Sequence, residues 1–185
     1  MRLIIARHGQ TNENVSGIII GQEANAMLNK EGILQAQKLA EFLKNEKINF
    51  AYVSSQTRAV HTAKEVLKFH PTAQVVVAHQ LKEQNLGIYE GKGKTEWKEI
   101  KKNSKEPFHV FKPQNGESYA ELQERVKTFF GDLIPKHKND TVLMVSHGGN
   151  KAHKPENTAL TVLDIFTDKE IKIHYFNSTE HLKNN

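Results

Sequence analysis

Five side chains in this sequence could together handle a phosphoryl group. His8 has Arg7 beside it, His147 follows a second apolar run, Arg58 opens a helical pattern and Glu83 lies in a loop. Cleaving a phosphate ester without a metal takes a nucleophile in line with phosphorus, donors for two negative charges and an acid for the leaving oxygen. Neutral imidazole is a competent nucleophile, and a guanidinium fork fits phosphate oxygens better than an ammonium group does. Two histidines, two arginines and a carboxylate make a complete set. Each alone has a plainer reading as a satisfied core histidine, a strand cap, a surface arginine or a solvated glutamate. Glu90, close to Glu83, stays open as the alternative acid. Gly148 and Gly149 after His147 point to close approach of backbone to a ligand, while Gln10 and Thr11 read as loop-shaping. His61, His70, His79, His109, His137, His153, His174 and His181 have no ligand spacing, so neither a metal site nor a cofactor is expected.

Those residues need elements to hold them. Short apolar runs at Arg2 to Ala6, Phe50 to Val53, Val75 to Ala78 and Thr141 to Ser146 read as strands, as do Thr158 to Phe166 and Ile171 to Phe176, the last near an edge. The four apolar residues Val142 to Val145 predict a central strand buried on both faces. Helical spacing marks Asn29 to Glu46 and Gln56 to Phe69, and Ser118 with Glu121 gives a capping-box start to a third helix through Leu133. Strand and helix alternate, which predicts a single α/β domain over residues 1–185, with a mostly parallel sheet and helices on both faces. Ligands of such sheets sit beyond the carboxyl ends of the strands. Arg7-His8-Gly9-Gln10-Thr11 ends one strand and Ser146-His147-Gly148-Gly149 another, so both histidines are expected in one crevice.

Bulk properties narrow the setting. The 185 residues fit one core, with 37% hydrophobic and 25% charged residues. No apolar run approaches the ~20 residues of a membrane span, and Met1 leads straight into a strand-like run. Cysteine is absent, which excludes disulfides, thiolate metal sites and cysteine nucleophiles and fits a reducing, cytoplasmic setting. The net charge of +5 by itself does not choose among nucleic acid, acidic membrane and small phosphorylated anions. Without an interleaved aromatic platform, nucleic acid is not expected as a partner.

The ordered motifs resemble the histidine phosphatase superfamily, also called phosphoglycerate mutase-like. Arg7-His8-Gly9-Gln10-Thr11 with Asn14 is similar to its opening signature. Gly21 to Gly32, with Leu28 and Asn29, resembles the loop into its first helix. Ser54-Ser55, Arg58-Ala59 and Thr62-Ala63 resemble the segment bearing its second phosphate-binding arginine. Leu81-Lys82-Glu83 with Gly87 and Glu90-Gly91 resembles the stretch that carries its acid, and Ser146-His147-Gly148 its second histidine motif. Asn157 to Ile165 and Asn177 to Leu182 resemble its closing strands. The resemblance implies a phosphatase without metal or cofactor. His8 would become phosphohistidine, and Glu83 would protonate the leaving group and then activate water. Arg7, Arg58 and His147 would clamp the phosphoryl oxygens, with Asn14, Gly21 and Gly148 completing the phosphate site.

Two departures from the family pattern carry expectations. The interval from Glu83 to His147 is 64 residues, lacking the longer insertion of the mutases, which favours hydrolysis over phosphoglycerate mutase activity. After His147 the family continues into an apolar helix, whereas Asn150 to Glu156 is polar and broken by Pro155. The sheet face that this helix would bury is expected to be covered by a second copy, as a homodimer; the alternative is that Phe166, Tyr175 and Phe176 fold over it. Phe108 to Pro113 with Gly116-Glu117-Ser118 resembles a segment of phosphatases acting on sugar bisphosphates. From Lys92 to Lys112 there are seven lysines against three glutamates, readable as a solvated helix or as a basic rim that gathers polyanionic substrates. A catalytically silent phospho-ligand binding module is the reading from another class. The substrate expected is a small phosphorylated metabolite.

Overall fold

The structure is a computed structural model that describes residues 1–22, 25–148, 155–166 and 170–183, without the side chain of Lys101. Six strands form one sheet: β1 (Arg2–Arg7), β2 (Phe50–Ser54), β3 (Gln74–Ala78), β4 (Thr141–Ser146), β5 (Leu160–Ile165) and β6 (Ile171–Ser178). Their order is β3-β2-β4-β1-β5-β6. β1, β2, β3 and β4 pair in parallel, while β5 is antiparallel to both β1 and β6. The α/β class and the mostly parallel sheet agree with the sequence reading. So does the central place of β4, whose residues Val142 to Val145 are all buried. Val75, Val76 and Val77, although β-branched, are exposed on the outer strand β3.

One face of the sheet is closed by α2 (Lys30–Leu43) and α3 (Thr57–Leu67). Ala36, Leu39, Ala40 and Leu43 of α2, with Ala59, Ala63 and Val66 of α3, bury themselves against Ile4, Ala51, Val53, Leu143 and Val145. The Asn29 side chain caps α2 by accepting from the Gly32 amide. The other face is packed by α5 (Tyr119–Lys136) through Phe129 and Leu133 onto Leu3, Val142 and Met144. Ser118 and Glu121 form the expected capping box at its start.

Several elements differ from the sequence reading. A short α1 (Asn12–Ser16), α4 (Lys94–Asn103) and a terminal turn α6 (Glu180–Lys183) add to the three expected helices. α1 and α6 are too short for a periodic signal, and α4 is too polar. Asn177 to Leu182 is not a closing strand: β6 ends at Ser178 and the chain turns into α6. Thr158 precedes β5 with φ 57 instead of opening it. Its hydroxyl lies 3.0 Å from His181 Nε2, a contact that ties the turn to α6. Tyr175 does not fold over the α5 face: it packs edge-on against Phe42, on the side of α2. Of the connection after His147, residues 149–154 lie outside the described residues; Pro155 to Ala159 are not helical.

Candidate phosphoryl-transfer site

At the carboxyl ends of β1 and β4 the two histidines meet, with ring centroids 5.2 Å apart. His8 is 2% exposed, and its Nδ1 lies 2.7 Å from the Gly9 carbonyl oxygen. A carbonyl can only accept, so Nδ1 carries the proton and Nε2 keeps its lone pair. That lone pair accepts from Arg58 Nε at 3.3 Å. Thr62 fixes the turn behind it, its hydroxyl accepting from the Gly9 amide at 2.9 Å and donating to the Arg58 carbonyl. The Asn157 side-chain amide donates to the His8 carbonyl at 3.0 Å. The imidazole is therefore held from three elements.

Around it stands a ring of buried cationic and neutral donors. Arg7 donates through Nη1 to the Pro155 carbonyl at 2.6 Å, and Arg58 through Nη2 to the Gly21 carbonyl at 3.1 Å. Arg7 Nε, Arg58 Nη1 and His147 Nδ1 are buried with no hydrogen-bond partner among the described residues. Buried donors are ordinarily satisfied, and three orphans in one place mark where an acceptor belongs. Burial pulls Arg58 down to about 10, opposed by Glu83 and deepened by Arg7, so it stays charged at neutral pH. Arg7 is lowered by the same burial, against Glu83 and Glu156. His147 is pushed well below its usual 6.5, by burial first and then by His8, Arg58, Arg7 and Arg125. Its Nε2 lies 2.8 Å from Ser54 Oγ. That oxygen also accepts weakly from the Gln56 amide at 3.4 Å; in the tautomer where its own proton goes to Nε2, the imidazole proton sits on the orphan Nδ1.

The cleft in front of this ring, about 240 Å³, is lined by Arg7, His8, Asn14, Gly21, Arg58, Glu83 and Gly148 among others. His147 lies behind His8 and lines a neighbouring apolar pocket together with Glu83. All eight sequence-predicted site residues thus converge. Asn14 Oδ1 is taken by the Thr11 amide and by Asn157, which leaves its Nδ2 as the donor toward a ligand. Gly21 has φ 57, and a Cβ there would lie 1.9 Å from the Glu90 carboxylate. A Cβ on Gly148 would press within 3.1 Å of Arg7 Nε, so this glycine lets the backbone reach the guanidinium. Gln10 and Thr11 are structural, as read: Thr11 caps α1, and Gln10 bonds Gln35 and Asn29.

The two candidate acids separate on geometry. Glu83 lines the cleft, and its Oε1 accepts from the Gln84 amide at 2.9 Å. Glu90 Oε1 accepts the amides of Gln22 and Leu86 at 2.8 and 2.9 Å, and the residue does not line the cleft. Glu90 holds loops together.

Sequence reasoning left one wall open between a solvated helix and a basic rim. Lys94 and Lys98, four apart on α4, line the cleft with Trp97, Leu86 and Ile18 to Ile20. Trp97, 8% exposed, clusters with Ile19 and Leu86, and this anchors α4 with its lysine face inward. Among the described residues, Lys94 Nζ reaches the Asn14 carbonyl alone, at 3.4 Å. Its pKa is lowered by burial and then by Arg7 and Lys98, the surroundings of a cation among cations. The signal was the lysine excess already noted, but α4 lacks the apolar periodicity that would have oriented it.

Comparison with known proteins gives this constellation its kin. The family model for the histidine phosphatase superfamily (branch 1) matches residues 3–153. The chain belongs to that superfamily. It is 33% identical over 156 residues to the metal-independent phosphoserine phosphatase of Arabidopsis thaliana, covering 80% of this chain and 64% of that one. It is 33% identical over 131 residues to mouse fructose-2,6-bisphosphatase TIGAR, covering 69% of this chain and 49% of the mouse protein. The chain thus spans about half to two thirds of the length of these two relatives. Among solved structures, the α-ribazole phosphatase of Shigella flexneri superposes with a TM-score of 0.83 at 26% identity, covering 96% of each chain.

Proposed function

We propose that this chain is a phosphomonoesterase for small phosphorylated metabolites, working through a phosphohistidine on His8. The observation that carries the reading is the set of buried nitrogens of Arg7, Arg58 and His147, unpartnered among the described residues, around the lone pair of His8 Nε2. Nε2 attacks phosphorus as the ester P–O bond breaks, and Glu83 gives its proton to the leaving oxygen, releasing an alcohol. The Glu83 carboxylate then takes a proton from water, whose oxygen attacks phosphorus. The N–P bond breaks, and orthophosphate leaves with His8 neutral again. Arg7, Arg58, His147 Nδ1 and Asn14 Nδ2 balance and orient the phosphoryl oxygens, so the sequence of steps calls on no metal ion or cofactor. The relatives' named substrates, phosphoserine and fructose 2,6-bisphosphate, share a second anionic group. The Lys94–Lys98 wall supports the same class here, sugar phosphates or bisphosphates included. Rapid quench under base should trap an acid-labile adduct on His8, and His8→Ala should abolish both adduct and turnover; substantial turnover by that variant would sink the reading. Isomerisation of phosphoglycerate in the same assay would favour mutase action instead.

We place the protein in the cytoplasm, in keeping with its lack of cysteine, and read the lysine wall as serving the cleft and not nucleic acid. No described helix is long and apolar enough to cross a membrane. We also infer a homodimer through β6. This edge strand of eight residues carries Ile171 and Ile173, 56% and 58% exposed, beside Ile165 and Leu163 on the face that α5 leaves open. A proline-free edge with an apolar flank is self-complementary about a two-fold axis. Sedimentation at micromolar concentration should give a dimer that Ile173→Lys converts to monomer; a wild-type monomer would refute it.

A further inference from the structure

Glu83 lies in a loop between two single-turn 3₁₀ helices, His79–Leu81 and Gly87–Tyr89, so no regular element sets the direction of its carboxyl. An acid must nonetheless stand within hydrogen-bond reach of the leaving oxygen, and a displacement of about 1 Å can cost on the order of 100-fold in rate. What holds the loop is therefore a catalytic question.

Gln22 Nε2 donates to the Glu83 carbonyl at 2.8 Å, and Arg125, on α5, grips the main chain on both sides of that contact. Nη1 donates to the carbonyls of Gln80 at 2.5 Å and Lys82 at 3.1 Å. Nη2 donates to the Glu83 carbonyl at 3.4 Å and to Glu117 Oε1 at 2.5 Å, and Nε to Glu117 Oε2 at 3.2 Å. All five N–H groups of the guanidinium are thus engaged, three on the main chain around Glu83 and two on one carboxylate. Glu117 then reaches the far side of the acid: Oε1 accepts from the Asn85 amide at 2.9 Å, and the Glu117 amide donates to the Asn85 carbonyl at 2.9 Å. The Glu83 amide is separately held by Gln56 at 2.8 Å. The Gly116-Glu117-Ser118 segment, which the sequence pointed toward substrate, does not line the cleft.

We propose that Arg125 and Glu117 are positioning residues for the general acid, a clamp that aims the Glu83 carboxyl at the leaving oxygen without touching substrate. The proposal rests on Glu83 being the acid. A clamp acting through the acid matters in proportion to how much the leaving group needs a proton. A residue that merely stabilises the fold, or that orients the phosphoryl group, affects all esters alike. Lysine cannot replace Arg125, having three donors on one nitrogen instead of a planar fork.

The test is a cycle of Arg125→Met, Glu83→Gln and the double variant, each assayed with 4-nitrophenyl phosphate and with an alkyl phosphate such as glycerol phosphate. Arg125→Met should lower kcat on the alkyl ester by roughly 10- to 100-fold and on the nitrophenyl ester by less than about 3-fold. In the Glu83→Gln background it should cost less than about 2-fold on either, because the group it aims is gone. Glu117→Gln keeps an acceptor for Asn85 and removes the charge facing Arg125. It should give the same leaving-group pattern at smaller amplitude, and it carries the cycle if Arg125→Met does not fold. Equal losses on both esters, or losses that multiply in the double variant, overturn the clamp while leaving Glu83 as the acid. A Glu83→Gln loss equal on both esters overturns the acid assignment and the clamp with it.

Discussion

The two ends of the central sheet each hold a histidine with a buried ring nitrogen, and the two are satisfied in opposite ways. At the amino end, beside the start of β4, His137 is 4% exposed with Nε2 2.8 Å from the Tyr52 hydroxyl and Nδ1 2.9 Å from Asp140. Its ring also stacks near Phe50 at 4.3 Å. Both nitrogens are accounted for, and a carboxylate stands beside the imidazole. At the carboxyl end, His147 has one nitrogen on Ser54 and the other buried without a partner among the described residues, and the charges that depress its pKa, those of His8, Arg58, Arg7 and Arg125, are all positive. A histidine that completes its hydrogen bonds within the chain builds structure. One that leaves a buried donor open among cations is poised for an anion. Burial alone does not separate the two; the partner count does.

The comparison is open to direct attack. His147→Asn should lower kcat/KM by roughly 100- to 1,000-fold, the scale of one lost donor to a charged transition state, with Tm nearly unchanged. His137→Asn should do the reverse, keeping kcat within about 2-fold while costing about 2 to 3 kcal/mol of stability as Tyr52 and Asp140 lose a partner. Denaturant unfolding beside a phosphate-release assay reads both. If the two variants behave alike, orphaned donors carry no functional information here.

A smaller effect tests the rim of the cleft against its floor. Lys94→Met with Lys98→Met should raise KM roughly 10-fold for substrates with a second anionic group and barely change it for simple monoesters, since each lost charge contact is worth about 1 kcal/mol at a partly exposed site. The effect should shrink with added salt. A uniform loss on both substrate kinds would mean that these lysines only steer, or support α4.

Sequence and structure contributed differently to this account. Which residues are candidates for the chemistry was legible in the chain itself, because His8, Arg58 and His147 sit at element boundaries that local patterns reveal. An apolar run ends, a helix starts, and a polar residue with a glycine beside it marks the turn. The buried strand Val142 to Val145 and the Ser118–Glu121 cap were equally local. The choice between Glu83 and Glu90 was not, since it turned on the Gln22 amide, 68 positions from Glu90. Nor were the inward face of Lys94 and Lys98, the exposure of Val75 to Val77 on an outer strand, or the grip of Arg125 on a loop 42 positions away. A side chain's type and neighbours decide what it is able to do. Which donors and acceptors it meets depends on how distant segments pack, and that is settled only when the sheet has formed and the helices have docked on it.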